Sequence, residues 1–182
     1  MRPAAALLLI AALLAGCSTS SFSDEPNAGP CPKVFALEEA SRFIEFNGDE
    51  RTLETVAFSG EINDVRASCR YYGDLPIRNE IEIEMEIGRG PAAEEAVYEL
   101  TYFVAVTRTD RDLIAKEEFT VPVRFRRNQR VVSLQEEIKR VVIPRRDAGT
   151  AGGNFEIAVG FALSRRQTVF NRSGTSLKFP EA

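Results

Sequence analysis

The sequence predicts an all-β fold, an antiparallel sandwich of immunoglobulin-like arrangement, on three observations. From Cys31 onward the apolar side chains recur mostly at every second residue, the period of a half-buried strand. Clusters of Gly, Pro, Asn and Asp interrupt that alternation about every 8–14 residues, as turns do. The alternating segments divide a stretch of about 150 residues into roughly seven to nine strands, the usual content of two packed sheets. An up-and-down barrel is the alternative, because the same alternation could line a lipid-sized cavity.

The chain opens on a leader. Met1 and Arg2 precede residues 4–15 (AAALLLIAALLA), an apolar run of twelve. That is the length of a signal segment and too short for a spanning helix, which needs about 20 residues. Leu14-Ala15-Gly16-Cys17 closes the run with the pattern of a bacterial lipobox, and polar Ser18-Thr19-Ser20-Ser21 follows at once. Residues 1–16 are therefore expected to be cleaved, leaving Cys17 as an acylated N-terminus. Ser18, where inner-membrane lipoproteins often carry Asp, points to the periplasmic face of an outer membrane. Residues 17–30 then form the lipidated cysteine and a tether rich in Ser, Pro, Asn and Gly, which cannot bury a core and reaches on the order of 20 Å. Residues 31–182 form the sandwich domain.

Within that domain, residues 36–44 (ALEEASRFI) space their apolar residues by three and four, so helix and strand both fit, with strand favoured for Arg42–Phe46. Residues 56–72 are too long for one uninterrupted pleat. Val56, Phe58 and Ile62 are even-numbered, whereas Val65, Ala67, Cys69 and Tyr71 are odd. One extra residue near Asn63-Asp64 restores a single inward face, which is the work of a β-bulge. Residues 79–88 alternate Ile81, Ile83, Met85 and Ile87 with Glu80, Glu82, Glu84 and Glu86. Tyr98, Leu100, Tyr102, Val104 and Val106 line one face of 97–107, and Phe119, Val121, Val123 and Phe125 one face of 115–125. Residues 134–142 (LQEEIKRVV) are again ambiguous, with strand favoured for Arg140–Ile143. The Gly-rich 148–154 lacks the Lys-Ser/Thr of a phosphate loop and reads as a flexible loop. Phe155, Ile157, Val159, Phe161 and Leu163 line the last strand, 155–163.

Composition limits the chemistry. The chain has no histidine, so no Ser-His-Asp or Cys-His nucleophile pair and no histidine metal ligand exist. No catalytic residue, metal or cofactor is assigned. Asp110 and Asp112 supply too few oxygens for calcium. Once Cys17 is acylated, Cys31 and Cys69 remain, and in an exported chain they are expected to pair. The leader carries one charge, Arg2, so 22 of the 23 basic residues face all 27 acidic ones, a net of −5. That balance argues against a nucleic-acid partner.

Two charged groups stand out. The row Glu80, Glu82, Glu84 and Glu86 is expected to be neutralised across the preceding strand by Arg66 and Arg70. Arg124, Arg126, Arg127 and Arg130 gather at an expected hairpin tip, with Lys139, Arg140, Arg145 and Arg146 following. Such a patch suits phosphates or carboxylates of the envelope and is the candidate binding surface.

The lipobox, Cys31-Pro32, RGPAAEEAVYELTYFVAVTR (89–108), AKEEFTVPVRF (115–125) and VGFALSRRQTVFNR (159–172) together resemble a family of small alphaproteobacterial lipoproteins of uncharacterised role. The resemblance covers most of residues 31–172. It implies export, a lipid anchor and a bacterial source, and it carries no catalytic residue. The expected function is a non-enzymatic envelope lipoprotein that binds or scaffolds another envelope component, a protein or an anionic polymer. Its alternative is a carrier or sensor of an apolar ligand in a barrel-like cavity.

Overall fold

The glutamate-alternating segment sits at the centre of one sheet. In a computed structural model describing residues 29–109 and 112–173, it is strand β4 (Ile77–Arg89), following β1 (Lys33–Ala36), β2 (Arg42–Phe46) and β3 (Val56–Arg70). Next come β5 (Val97–Arg108), β6 (Leu113–Arg124), β7 (Val131–Ile143), β8 (Phe155–Phe161) and one α-helix, α1 (Arg165–Arg172). The lipobox with Cys17, the tether up to residue 28 and Asp110 lie outside the described residues.

Two four-stranded sheets form, ordered β1-β8-β5-β6 and β2-β3-β4-β7. All pairings are antiparallel except β1 with β8. The sandwich is thus the expected one and no barrel closes. Its order differs from that of an immunoglobulin domain in keeping β2, β3 and β4 as consecutive neighbours. Ile81, Ile83, Met85 and Ile87 of β4 are fully buried against Leu100, Tyr102, Val104, Ile157, Val159 and Phe161 of the facing sheet. The alternation seen in the sequence is the inward half of each pleat.

The phase change in β3 is a bulge where the sequence puts it. Pairing with β4 shifts between Ile62 and Asp64, and Val65 then lies opposite Ile83. A second bulge explains the ambiguity of 134–142. Leu134 and Ile138 pair with Met85 and Ile81, but Val141 pairs with Asn79, one residue out of phase. Inward positions spaced by four and then three imitate a helix face although the segment is strand throughout. In 36–44 the helical spacing has a different cause: a 3-10 turn at Glu38–Ala40 leads into β2. That turn crosses the outer face of β8 closely enough that a Cβ on Gly160 would come within 2.8 Å of Ala40 Cβ and of the Phe103 ring.

Helix α1 is an addition to the expected plan. Ser164 caps it, accepting from Gln167 N while the Gln167 side chain accepts from Ser164 N, a capping box. Phe170 buries against Ile44, Val56 and Phe46, and Asn171 Nδ2 donates to the carbonyls of Arg42 (2.8 Å) and Glu39 (2.9 Å). The helix is thereby fixed beside β2.

Two of the four edge strands, β6 and β7, resist further strand addition. Edge strand β6 carries exposed Lys116, Glu117 and Glu118 and, at position 122, a proline with no N–H to offer. Edge strand β7 turns Glu136 inward, where Tyr102 Oη donates to it at 3.3 Å.

Candidate functional site

The sandwich has two poles, and the sequence-predicted residues divide between them. Strand ends 89, 97, 124 and 131 meet at one; strand ends 70, 77, 108, 113, 143 and 155 meet at the other, where Cys31 also begins the domain. The 13 residues of β4 separate the poles by about 43 Å at the usual strand rise.

At the first pole, Arg124, Arg126, Arg127 and Arg130 occupy the connection from β6 to β7. These strands lie in different sheets, so the expected hairpin tip is a corner between sheets. Its construction is specific. Phe125 is buried 5.9 Å from the Phe58 ring, and its N–H donates to Ala96 O at 2.8 Å. Gln129 N donates to Arg126 O (3.0 Å), closing a β-turn whose third residue, Asn128, has φ 65°. Asparagine tolerates that left-handed conformation. The Gln129 side chain accepts from Arg126 N (3.1 Å) and donates to Val131 O (3.0 Å), stiffening the turn. All four arginines are exposed, and among the described residues none forms an ion pair. Uncompensated guanidinium groups on a rigid turn suit bidentate capture of carboxylate or phosphate.

At the second pole, three chain segments are knotted together. Cys31 and Cys69 form the expected disulfide, with Cα atoms 5.7 Å apart. Buried Tyr71 donates to Pro30 O (2.9 Å) and accepts from Gly152 N (3.0 Å). Arg145 lies over the Tyr71 ring (4.9 Å) and donates to the carbonyls of Leu75 (2.7 Å), Thr150 (3.2 Å), Ala148 (3.3 Å), Tyr72 (3.4 Å) and Gly73. Arg145 is therefore a structural hub, not a member of the free basic patch. The loop 148–154 is likewise held, not flexible: a Cβ on Gly152 would stand 2.4 Å from Pro30 O. Arg145→Ala is expected to cost about 1–3 kcal/mol by leaving several carbonyls without a donor. Thermal unfolding of the variant, with a fall of roughly 2–8 °C, checks it.

One arginine of the two proposed reaches the glutamate row, and it meets only two of the four carboxylates. Arg66 pairs with Glu84, Glu82 (3.7 Å) and Asp64 (3.3 Å). Arg70 lies one pair beyond the row, opposite Arg78.

Two phenol–carboxylate pairs, one at buried Tyr102 and one at half-buried Tyr98, were not legible from the sequence. Tyr98 Oη donates to Glu45 (3.1 Å), and Tyr102 Oη to Glu136 (3.3 Å). Burial first, and then the neighbouring carboxylate, pushes both phenols well above the ordinary tyrosine range. The folded state keeps these protons where the unfolded chain, with a phenol pKa of about 10, releases them. Stability is thus fully present below about pH 10 and falls as pH rises from there toward the folded-state values. Ultraviolet titration is expected to show Tyr98 and Tyr102 ionising only as the fold is lost, and Tyr98→Phe with Tyr102→Phe to flatten the alkaline fall.

Clefts of 250, 320 and 600 Å³ ring α1 and all touch Ser164. The 320 Å³ cleft has an apolar floor of Ile44, Phe46 and Phe170, with Arg51 and Arg166 at its rim. Among the described residues, no group of three Asp, Glu or Cys side chains is arranged to hold a metal.

No family model matches the chain, and no curated protein matches it. Among solved structures, the variable (V) domain of the Streptococcus agalactiae AgI/II polypeptide BspA is similar over 72% of this chain and 78% of that one. The identity is 9% and the TM-score 0.17, so the likeness carries no argument.

Proposed function

We propose that this protein is a non-enzymatic envelope lipoprotein, anchored through acylated Cys17 to the periplasmic face of the outer membrane. Its Arg124–Arg130 corner binds an anionic envelope component, a cell-wall polymer or the acidic face of another envelope protein. The observation that carries the reading is the position of the corner. Its four unpaired arginines lie at the pole opposite Cys31, and Gly29 follows Cys17 by only 12 residues. A tether of that length, expected from its composition, would hold the near pole about 20 Å from the bilayer. The corner then stands a further domain length away, toward whatever faces the membrane. Its own leaflet is not the natural ligand of that pole.

The charged and proline-bearing edge β6 and the inward Glu136 of β7 speak against strand pairing at those two edges as the contact. The test is sedimentation of the purified, lipidated protein with isolated cell-wall sacculi. Wild type should co-sediment, with binding that weakens as salt is raised. Arg126→Glu with Arg127→Glu and Arg130→Glu should lose at least about tenfold in affinity, since charge reversal replaces attraction by repulsion. Equal sedimentation of both proteins contradicts a cell-wall ligand.

A second reading, binding of a small ligand, rests on the 320 Å³ cleft beneath α1 and not on a cavity between the sheets. Arg51 above an apolar floor, with Arg166 paired to Asp49 beside it, would suit an aromatic or aliphatic acid. A ligand displaced by Phe170→Ala but not by the corner substitutions would favour it.

A further inference from the structure

We infer that the pole bearing Cys31 is a membrane-docking face, which seats on the head-group layer of the leaflet holding the anchor and orients the domain upright. The inference rests on the anchoring proposed above. Three features at this pole converge. Tyr72, Leu75, Leu113 and Val142 are large apolar side chains exposed by 48, 44, 63 and 44%. Beside them, Arg70 and Arg78 stand opposite each other on neighbouring strands, and Val142 is the next cross-strand neighbour of Arg78. Two like charges directly opposed are unfavourable in water, and a phosphate between them removes the penalty. The turn that carries Tyr72 and Leu75 is also held in place. Leu75 N donates to Tyr72 O at 3.1 Å, and Arg145 clamps the carbonyls of that same turn. Ordered apolar side chains flanked by arginines are what an interfacial contact with anionic lipid uses.

The tether decides which partner is meant. With 11 residues between Cys17 and Gly29, the local concentration of this pole at the bilayer is on the order of millimolar. Even a contact too weak to hold a free protein is then substantially occupied. The opposite pole, some 43 Å off, gains much less from the anchor.

The absence of tryptophan makes the orientation measurable with single introduced reporters. Leu75→Trp, Leu113→Trp and Val131→Trp, the last exposed by 53% near the arginine corner, are each prepared in the full-length lipidated protein. They are reconstituted in phosphatidylethanolamine–phosphatidylglycerol vesicles containing brominated acyl chains. Fluorescence at 75 and 113 should be blue-shifted and quenched at least about twofold more than at 131, because interfacial side chains reach 5–10 Å into the head-group boundary. Arg70→Glu with Arg78→Glu in the Leu75→Trp background should bring quenching down to the level at 131. Equal quenching at all three positions, or none at any while the protein floats with the vesicles, overturns the docking face and leaves anchoring intact. Failure to float overturns both.

Discussion

Replacing Cys31 and Cys69 together by alanine lowers the stability of the domain by about 4 kcal/mol, the chain-entropy value for a bridge across 38 residues. The structure adds a reason to expect the full amount. Strand β1 has only four residues, sits at a sheet edge and is paired in parallel with β8. Without the bridge, β1 is held through that short ladder, the Tyr71–Pro30 bond and its packing on the core. Denaturant unfolding of the double variant should show the loss as a lowered midpoint. Amide exchange should show it first in β1 and in the Gly152 turn. A change below about 1 kcal/mol would mean that the unfolded state or the reduced knot compensates.

Cys17→Ser is expected to move the protein from wholly membrane-bound to wholly free of the membrane, or to leave it as an unprocessed precursor. Each buried methylene contributes about 0.8 kcal/mol, and one myristoyl-length chain binds only marginally. The two or three chains of a lipoprotein cysteine make release negligible, and deleting them removes the whole effect. Mass spectrometry of the wild-type N-terminal peptide should find acyl chains on Cys17. An unacylated N-terminus, or a Cys17→Ser variant that is processed and still sediments with membranes, contradicts the anchor.

The inward faces were legible because two packed sheets demand period two, and Ile81–Ile87 of β4 shows it without interruption. The bulge at Asn63-Asp64 was legible for the same reason: a broken phase in a long strand has few other causes. The corresponding bulge in β7 was not, because steps of four and three residues at Leu134, Ile138 and Val141 are those of a helix. Only pairing with β4 decides between them. Helix α1 was missed although Ser164 and Gln167 carry its capping box. Eight residues with Val169 and Phe170 as the apolar members give too weak a stripe. At the candidate site, the identity of the four arginines could be read but not their setting. Whether Arg124 and Arg130 end strands of one sheet or of two depends on which partners β6 and β7 choose. The role of Arg145 as a hub was equally hidden, since three of its five carbonyl partners lie about 70 residues away in sequence.

The central claim is that the arginine corner is the surface presented to a partner. The most direct measurement is photo-cross-linking in living cells, with a photoreactive residue at Arg127 in the corner or at Ser68 on the outer face of β3. A specific adduct is expected from position 127 that disappears on Arg126→Glu with Arg130→Glu, and none from position 68. Adducts of equal yield from both positions, or from position 68 alone, would contradict it.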